Sequence, residues 1–190
     1  GALIAPRERF VVVVGVISDI ATTRVSVPLR EAFRTALRTV ETAHAVRVAI
    51  TTTDGATGYG EAVGTPPITG ETLGSIEAAV AGPISAALCG RDVEDLDAAG
   101  QALSASVVGN FSAKSAVDCA LYDLVARRLG VSLRAVLGGG GADVLTDITV
   151  AAADPGGMTD AARHRLAAGF HVLKLKVGGH GDVDRDVTRV

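Results

Sequence analysis

The hydrophobic pattern of this chain changes period twice, and each change removes a class of architecture. Over Thr42–Thr52 the side chains alternate, with Thr42, His44, Val46, Val48, Ile50 and Thr52 on one face and Ala43, Ala45, Arg47, Ala49 and Thr51 on the other, the period of a strand with one buried face. Asp54–Gly55 follows, a pair suited to positive φ, and Ala56–Ala62 returns, so the spacing predicts a hairpin. After Ser112 the period becomes helical. Ala113, Ala116, Val117, Ala120, Leu121, Leu124 and Val125 form one stripe, closed by Gly130 where a C-cap glycine belongs. Beyond the run Gly138–Gly141 the order is strand (Leu145–Ala152), helix (about Thr159–Ala168) and strand (His171–Val177). That is one βαβ unit, which requires parallel strands and a right-handed crossover.

The remaining segments fill in this plan. Arg7 and Arg9 precede the apolar run Phe10–Ile17 in the order of a signal peptide, but no small-residue cleavage site follows and β-branched residues dominate. A first strand ended by Ser18–Asp19 is expected there. Val27–Arg38 mixes polar and apolar residues without a period and reads as a loop. Thr69–Thr72 places a capping hydroxyl and an acid before the helical stripe Leu73, Ile76, Ala79 and Val80, and Leu96, Ala99 and Leu103 mark a further helix.

Composition excludes several function classes. With 190 residues, 48% hydrophobic and 21% charged, the chain can bury a substantial core. A net charge of −3 and 3% aromatic content supply no basic, stacking-rich surface, so nucleic acid is not an expected partner. The eight residues Phe10–Ile17 are too short to span a bilayer, and no membrane partner is expected. Cys89 and Cys119 sit in apolar, helix-like settings and are expected to be buried thiols in a reducing compartment, which points to the cytoplasm.

The chemistry concentrates in His171–Gly178, where Lys174 and Lys176 interrupt an apolar run. On a strand, residues i and i+2 share a face, so both ammonium groups point the same way. Like charge and partial burial each disfavour the protonated form, which is how a lysine becomes a base near neutral pH. The alternative is an edge strand with two solvated lysines. Other motifs are weaker. Gly138–Gly141 lacks the lysine and hydroxyl of a phosphate loop and reads as a linker. Asp182, Asp184 and Asp186 lack the glycine and glutamate of a calcium loop and read as a charged helix start. His44, His164, His171 and His180 lie scattered, without ligand spacing.

The stretch Asn110–Asp123, continuing through Leu129–Gly139, resembles the signature helix and turn of the muconate lactonizing enzyme subgroup of the enolase superfamily, and Tyr59–Ala62 resembles its cap-domain hairpin. Within that subgroup, Phe33–Thr39, Ile68–Glu71 and Thr146–Thr149 look most like the dipeptide epimerases that act on L-Ala-D/L-Glu and related dipeptides. The resemblance implies an α+β capping domain, an antiparallel sheet plus helices over residues 1–140, with 1–14 an extra tail or first strand. The first βαβ of a (β/α)8 TIM-type barrel, truncated, would follow over 141–190.

By position, the resemblance makes Lys176 the base that takes or returns an α-proton and Lys174 the residue that tunes it. Arg38 would pair with a substrate carboxylate, Phe33 and Ile68 would line the cap side of the pocket, and Thr149 would face the substrate from the first barrel strand. It further implies Mg²⁺, a lysine or histidine base being this superfamily's partner to a metal-stabilised enediolate, a small-molecule substrate (a dipeptide or related carboxylate), and a homo-oligomer when intact. Members take their metal ligands from the third to fifth barrel strands and an opposing lysine from the sixth, so no metal ligand is expected within this chain. A full barrel takes about 250 residues. The expected function is therefore that of a dipeptide epimerase represented by an N-terminal portion, inactive alone. The alternatives are another subgroup member (o-succinylbenzoate synthase, N-succinylamino acid racemase or muconate cycloisomerase) or a non-catalytic folded fragment.

Overall fold

The computed structural model describes residues 15–34, 39–141, 143–151, 153–177 and 183–189. They form two compact units, one of residues up to Val25 with His44–Gly140, the other of Ser26–Ala43 with the residues from Gly141 onward.

β1 (Ile17–Arg34), β2 (Thr39–Thr52) and β3 (Thr57–Val63) are neighbours in that order in one sheet; β1 from Ser26 onward and β2 up to Ala43 belong to the second unit, the rest to the first. The expected hairpin joins β2 and β3, antiparallel in a register that sets Val48 opposite Gly60 and Ile50 opposite Gly58. Gly55 takes φ +86° at the turn, a conformation glycine adopts without steric cost. Val46, Val48, Ile50 and Thr52 are all buried, as the alternation requires.

Two strand expectations are corrected. Ser18–Asp19 does not end the first strand: β1 starts at Ile17 and runs through both residues, and the Ser18 hydroxyl donates to the Thr51 carbonyl at 3.0 Å, which satisfies it within the sheet. Phe10–Val14 lie outside the described residues. The loop expected at Val27–Arg38 is strand as far as Arg34. Val27–Glu31 are exposed on both faces, so no alternation marks them, and Pro28 is tolerated because β1 is an edge strand.

The helices of the first unit are α1 (Pro66–Thr69), α2 (Leu73–Ala79), α3 (Ser85–Leu88), α4 (Leu96–Ala105), α5 (Phe111–Leu129) and α6 (Leu133–Val136). Thr72 caps α2 in a reciprocal box with Ser75. A π-helical turn, Val80–Ile84, joins α2 to α3 around Pro83, whose missing N–H interrupts the regular ladder. At the end of α5, Gly130 takes φ +65° and Val131 N–H donates to the Ala126 carbonyl at 3.1 Å, the 6→1 bond of a Schellman motif.

The long helix α5 lies directly on β3, and two glycines make this possible. A Cβ at Gly60 would stand 1.9 Å from the Ala116 carbonyl oxygen, and one at Gly58 2.4 Å from that of Ala120. Helix and strand backbones therefore touch where the motif Gly58–Tyr59–Gly60 meets the small residues Ala116 and Ala120. The contact is fastened at the strand edge: Tyr59 N–H donates to Asp123 Oδ2 at 2.8 Å, and Arg127 Nε donates to the same oxygen at 2.7 Å. The guanidinium carbons of Arg47 and Arg127 lie 5.6 and 5.4 Å from the centre of the Tyr59 ring, within cation–π range.

Glu71 was expected to serve the start of α2; it caps α5 instead. Its nearly buried carboxylate accepts from Ser112 N–H at 3.1 Å, from the Ser112 hydroxyl at 2.6 Å and from Ala113 N–H at 3.4 Å. Negative charge at a helix N-terminus meets the positive end of the helix dipole. At the β2–β3 turn, Asp54 accepts from the Thr52 hydroxyl and pairs with Arg128, and its carboxyl is held down from 3.8 to about 2, chiefly by the Thr52 hydrogen bond and then by that from Arg128.

Cys89 and Cys119 are free thiols, and both are exposed rather than buried as expected. Cys119 falls on the outer side of α5 between the buried Val117 and Ala120, and Cys89 stands past the end of α3. An apolar neighbourhood in sequence therefore buries neither thiol: Cys119 follows the helical spacing of α5 outward, and Cys89 lies beyond its helix.

Candidate active site

The second unit contains β4 (Ile148–Val150), α7 (Pro155–Ala167), β5 (Leu173–Leu175) and α8 (Val183–Arg189). The expected βαβ unit is present with β4 and β5 parallel, but each strand is three residues long, shorter than Leu145–Ala152 and His171–Val177. The helix starts four residues before Thr159. Asp154 caps it by accepting from Gly157 N–H at 3.0 Å, and Pro155 takes the first helical position, where its missing N–H costs nothing. Acidic Asp184 and Asp186 occupy the first turn of α8, while Asp182 lies outside the described residues.

The β4–β5 register assembles the site. Ile148 pairs with Leu173, Thr149 with Lys174 and Val150 with Leu175, and Lys176 N–H donates to the Val150 carbonyl at 3.1 Å, carrying the ladder one step further. Directly paired residues share a face and successive ones alternate. Thr149, Lys174 and Lys176 therefore stand on one face, the lysines about 6.6 Å apart along the strand by its rise per residue. Val150 points the other way and is buried, α7 packing on β4 with its own buried Met158. Lys174 is exposed; Lys176 and Thr149 are half-buried.

Phe33 lies near β4 and α7: in the second unit it lines a cavity of about 190 Å³ together with Thr149, Val150, Gly157, Ala161 and Arg165, a wall that includes neither lysine. Ile68 belongs to the first unit, on α1, and is 67% exposed. Arg38 lies outside the described residues. The structure thus brings Thr149 together with both lysines through strand register, and with Phe33 through the cavity.

Two residues of this region carried no signal that was read from the sequence. Arg165 forms an ion pair with Glu31, and both line the Phe33 cavity. The readable part was the spacing of Gly157, Ala161 and Arg165 at i, i+4 and i+8, two small residues and an arginine on one helical face. Among the described residues no group of three or more His, Cys, Asp or Glu side chains comes together in a way that could hold a metal ion. No described helix is long and apolar enough to cross a membrane. Two lysine side chains beside a hydroxyl on an open sheet face can exchange a proton with a bound carbon acid or hold a carboxylate.

Residues 17–138 match the family model of the mandelate racemase / muconate lactonizing enzyme N-terminal domain. The chain belongs to this family. The L-Ala-D/L-Glu epimerase of Bacillus subtilis (strain 168) is 42% identical over 90% of this chain and 46% of its own length. The solved substrate-liganded complex of the L-Ala-D/L-Glu epimerase from Bacillus subtilis superposes with a TM-score of 0.86 at 42% identity, covering 91% of this chain and 48% of that one. The dipeptide epimerase from Cytophaga hutchinsonii, complexed with Mg and D-Ala-L-Val, superposes with a TM-score of 0.83 at 32% identity over 92% of this chain and 47% of that one. The chain spans just under half the length of these relatives. The resemblance carried by Asn110–Asp123 and Tyr59–Ala62 is thereby confirmed, as is an enolase-superfamily cap followed by the start of a parallel barrel sheet.

Proposed function

We propose that this chain supplies one proton-transfer face of a dipeptide epimerase acting on L-Ala-D/L-Glu or a related dipeptide. The observation that carries the reading is the placement of Lys176 and Lys174 beside Thr149 on one face of the parallel pair, in a chain 42% identical over 90% of its length to an L-Ala-D/L-Glu epimerase. Lys176, as the free amine, takes the proton from the α-carbon. The C–H electron pair moves into the adjoining carboxylate as an enediolate, and return of a proton restores the α-carbon. Lys174 is the like charge beside the base. Thr149 faces the substrate, Phe33 supplies apolar surface beside it, and Arg38 pairs with a carboxylate, a task suited to a planar, two-pronged donor. Residues 1–140 are the cap and 141–190 the barrel start in this reading. The relatives from Cytophaga hutchinsonii and Methylococcus capsulatus are complexed with Mg and a dipeptide; the described residues of this chain offer no cluster that fits the ion.

The test is a chimaera in which residues 17–177 replace the matched segment of the Bacillus subtilis epimerase. In D₂O with Mg²⁺ and L-Ala-L-Glu, deuterium should enter the glutamyl α-position, read by proton NMR. Lys176→Ala should slow that exchange by about 10²- to 10⁴-fold, the usual worth of a positioned general base. Unchanged exchange in Lys176→Ala would remove this residue from the reaction. A chimaera that turns over N-succinylamino acids or muconate in preference to every dipeptide would overturn the substrate class.

A further inference from the structure

We propose that Arg165 is a positioning residue: its ion pair with Glu31 latches the outer part of β1 onto α7 and so sets where Phe33 stands in the cavity it shares with Thr149. The argument starts from the helix face. Gly157, Ala161 and Arg165 follow one another at four-residue intervals, so they line one side of α7, and all three line the cavity. The two small residues leave space against the helix, and the arginine after them provides the reach. On the strand side Glu31 and Phe33 are i and i+2, so both project from the same face of β1. An arginine that fixes Glu31 therefore also fixes the direction in which Phe33 points.

The arginine is the better-held partner, its side chain 26% exposed against 61% for Glu31. Arg165 also borders an adjoining groove of about 470 Å³ lined by Leu29, Arg30, Glu31, Phe33 and His164. The pair thus stands between the two hollows and lines both. Releasing it leaves Val27–Glu31, exposed throughout, held by the strand ladder with β2 and by no buried side chain of its own. That the cavity receives substrate rests on the epimerase reading; the latch does not.

The chain contains two tyrosines and no tryptophan, so Phe33→Trp introduces a single tryptophan, excited beyond the tyrosine absorption band, at a position that is 39% exposed with the latch closed. In the Phe33→Trp chain, Arg165→Ala and Glu31→Ala should each shift the emission to the red and raise the acrylamide quenching constant. The expected increase is about two- to fivefold if quenching follows the fraction of open tip, the size of effect a partly screened ion pair can exert. The charge-reversed pair Glu31→Arg with Arg165→Glu should restore most of the protection, which a residue needed only for helix folding would not do. Circular dichroism should show an unchanged total helix content in each variant. Unchanged quenching in both single variants, or no recovery in the reversed pair, would overturn the latch. In the chimaera, Arg165→Ala should raise KM for the dipeptide with little change in kcat. Fluorescence responses as expected with no dipeptide turned over would leave the latch standing and remove the epimerase reading instead.

Discussion

The two units use their side chains in opposite ways. Residues 15–25 with 44–140 enclose a continuous apolar core in which Val46, Val48, Ile50, Ile76, Leu88 and Leu124 have no exposed surface. Among the described residues of the second unit, Val150 and Met158 are the buried apolar side chains. In the first unit nearly every periodic position goes to packing, even at the cost of replacing side chains by glycine where α5 meets β3. In the second, the face of β4 and β5 that could be buried carries Thr149, Lys174 and Lys176. Three polar side chains on one face cannot be packed against an apolar layer without losing their water, so the first unit holds most of the buried apolar surface.

The strongest challenge to this comparison is one substitution made in both places. Gly60→Ala sets a methyl group 1.9 Å from a backbone oxygen and should cost about 3 kcal/mol, the upper part of the range for overpacking. Gly157→Ala meets nothing closer than 3.4 Å and should change stability by less than about 0.5 kcal/mol. Urea midpoints of the two variants against the parent measure both. Equal losses would show that the second unit is packed as tightly as the first.

Met158→Ala tests whether the second unit depends on its small core. A fully buried methionine truncated to alanine costs about 2 kcal/mol or more. Amide exchange should speed up in β4, β5 and α7 while β3 and α5 keep their protection. Uniform acceleration across all five elements would mean that the two units unfold together.

The smallest expected effect is the pH dependence of the β2–β3 turn. Asp54 is lowered from 3.8 to about 2 in the folded chain, so the unfolded state binds a proton more readily and the interaction stabilises the fold above about pH 4. That contribution is lost as pH falls through about 2. The urea midpoints of the parent and Asp54→Asn should differ at pH 7 and converge towards pH 2. A gap that stays constant over that range would show that the carboxylate's charge is not what stabilises the turn.

Local pattern carried much of the architecture. The β2–β3 hairpin was readable because one face of β2 is buried and its alternation is preserved, and α5 because its stripe ends at a C-cap glycine. The βαβ order and the shared face of Lys174 and Lys176 were readable from strand period alone. The outer part of β1 was not, since a segment exposed on both faces has no period to display. The start of α7 was missed although Asp154–Pro155 is a capping signal, because Gly156–Gly157 follow it and weaken the helical pattern. The cysteines were misplaced because an apolar neighbourhood in sequence does not say which side of a helix a residue occupies.

By itself the sequence determined the order of the elements, the family, and the pairing of two lysines on one strand face, because these depend on periods and motifs only a few residues long. Tertiary structure alone decided that Glu71 caps α5 across 41 positions, that Gly58 and Gly60 admit a helix backbone, and that Glu31 meets Arg165 across 134. Such contacts join segments whose local patterns are independent, and only the packing of strand against helix brings them within hydrogen-bonding distance.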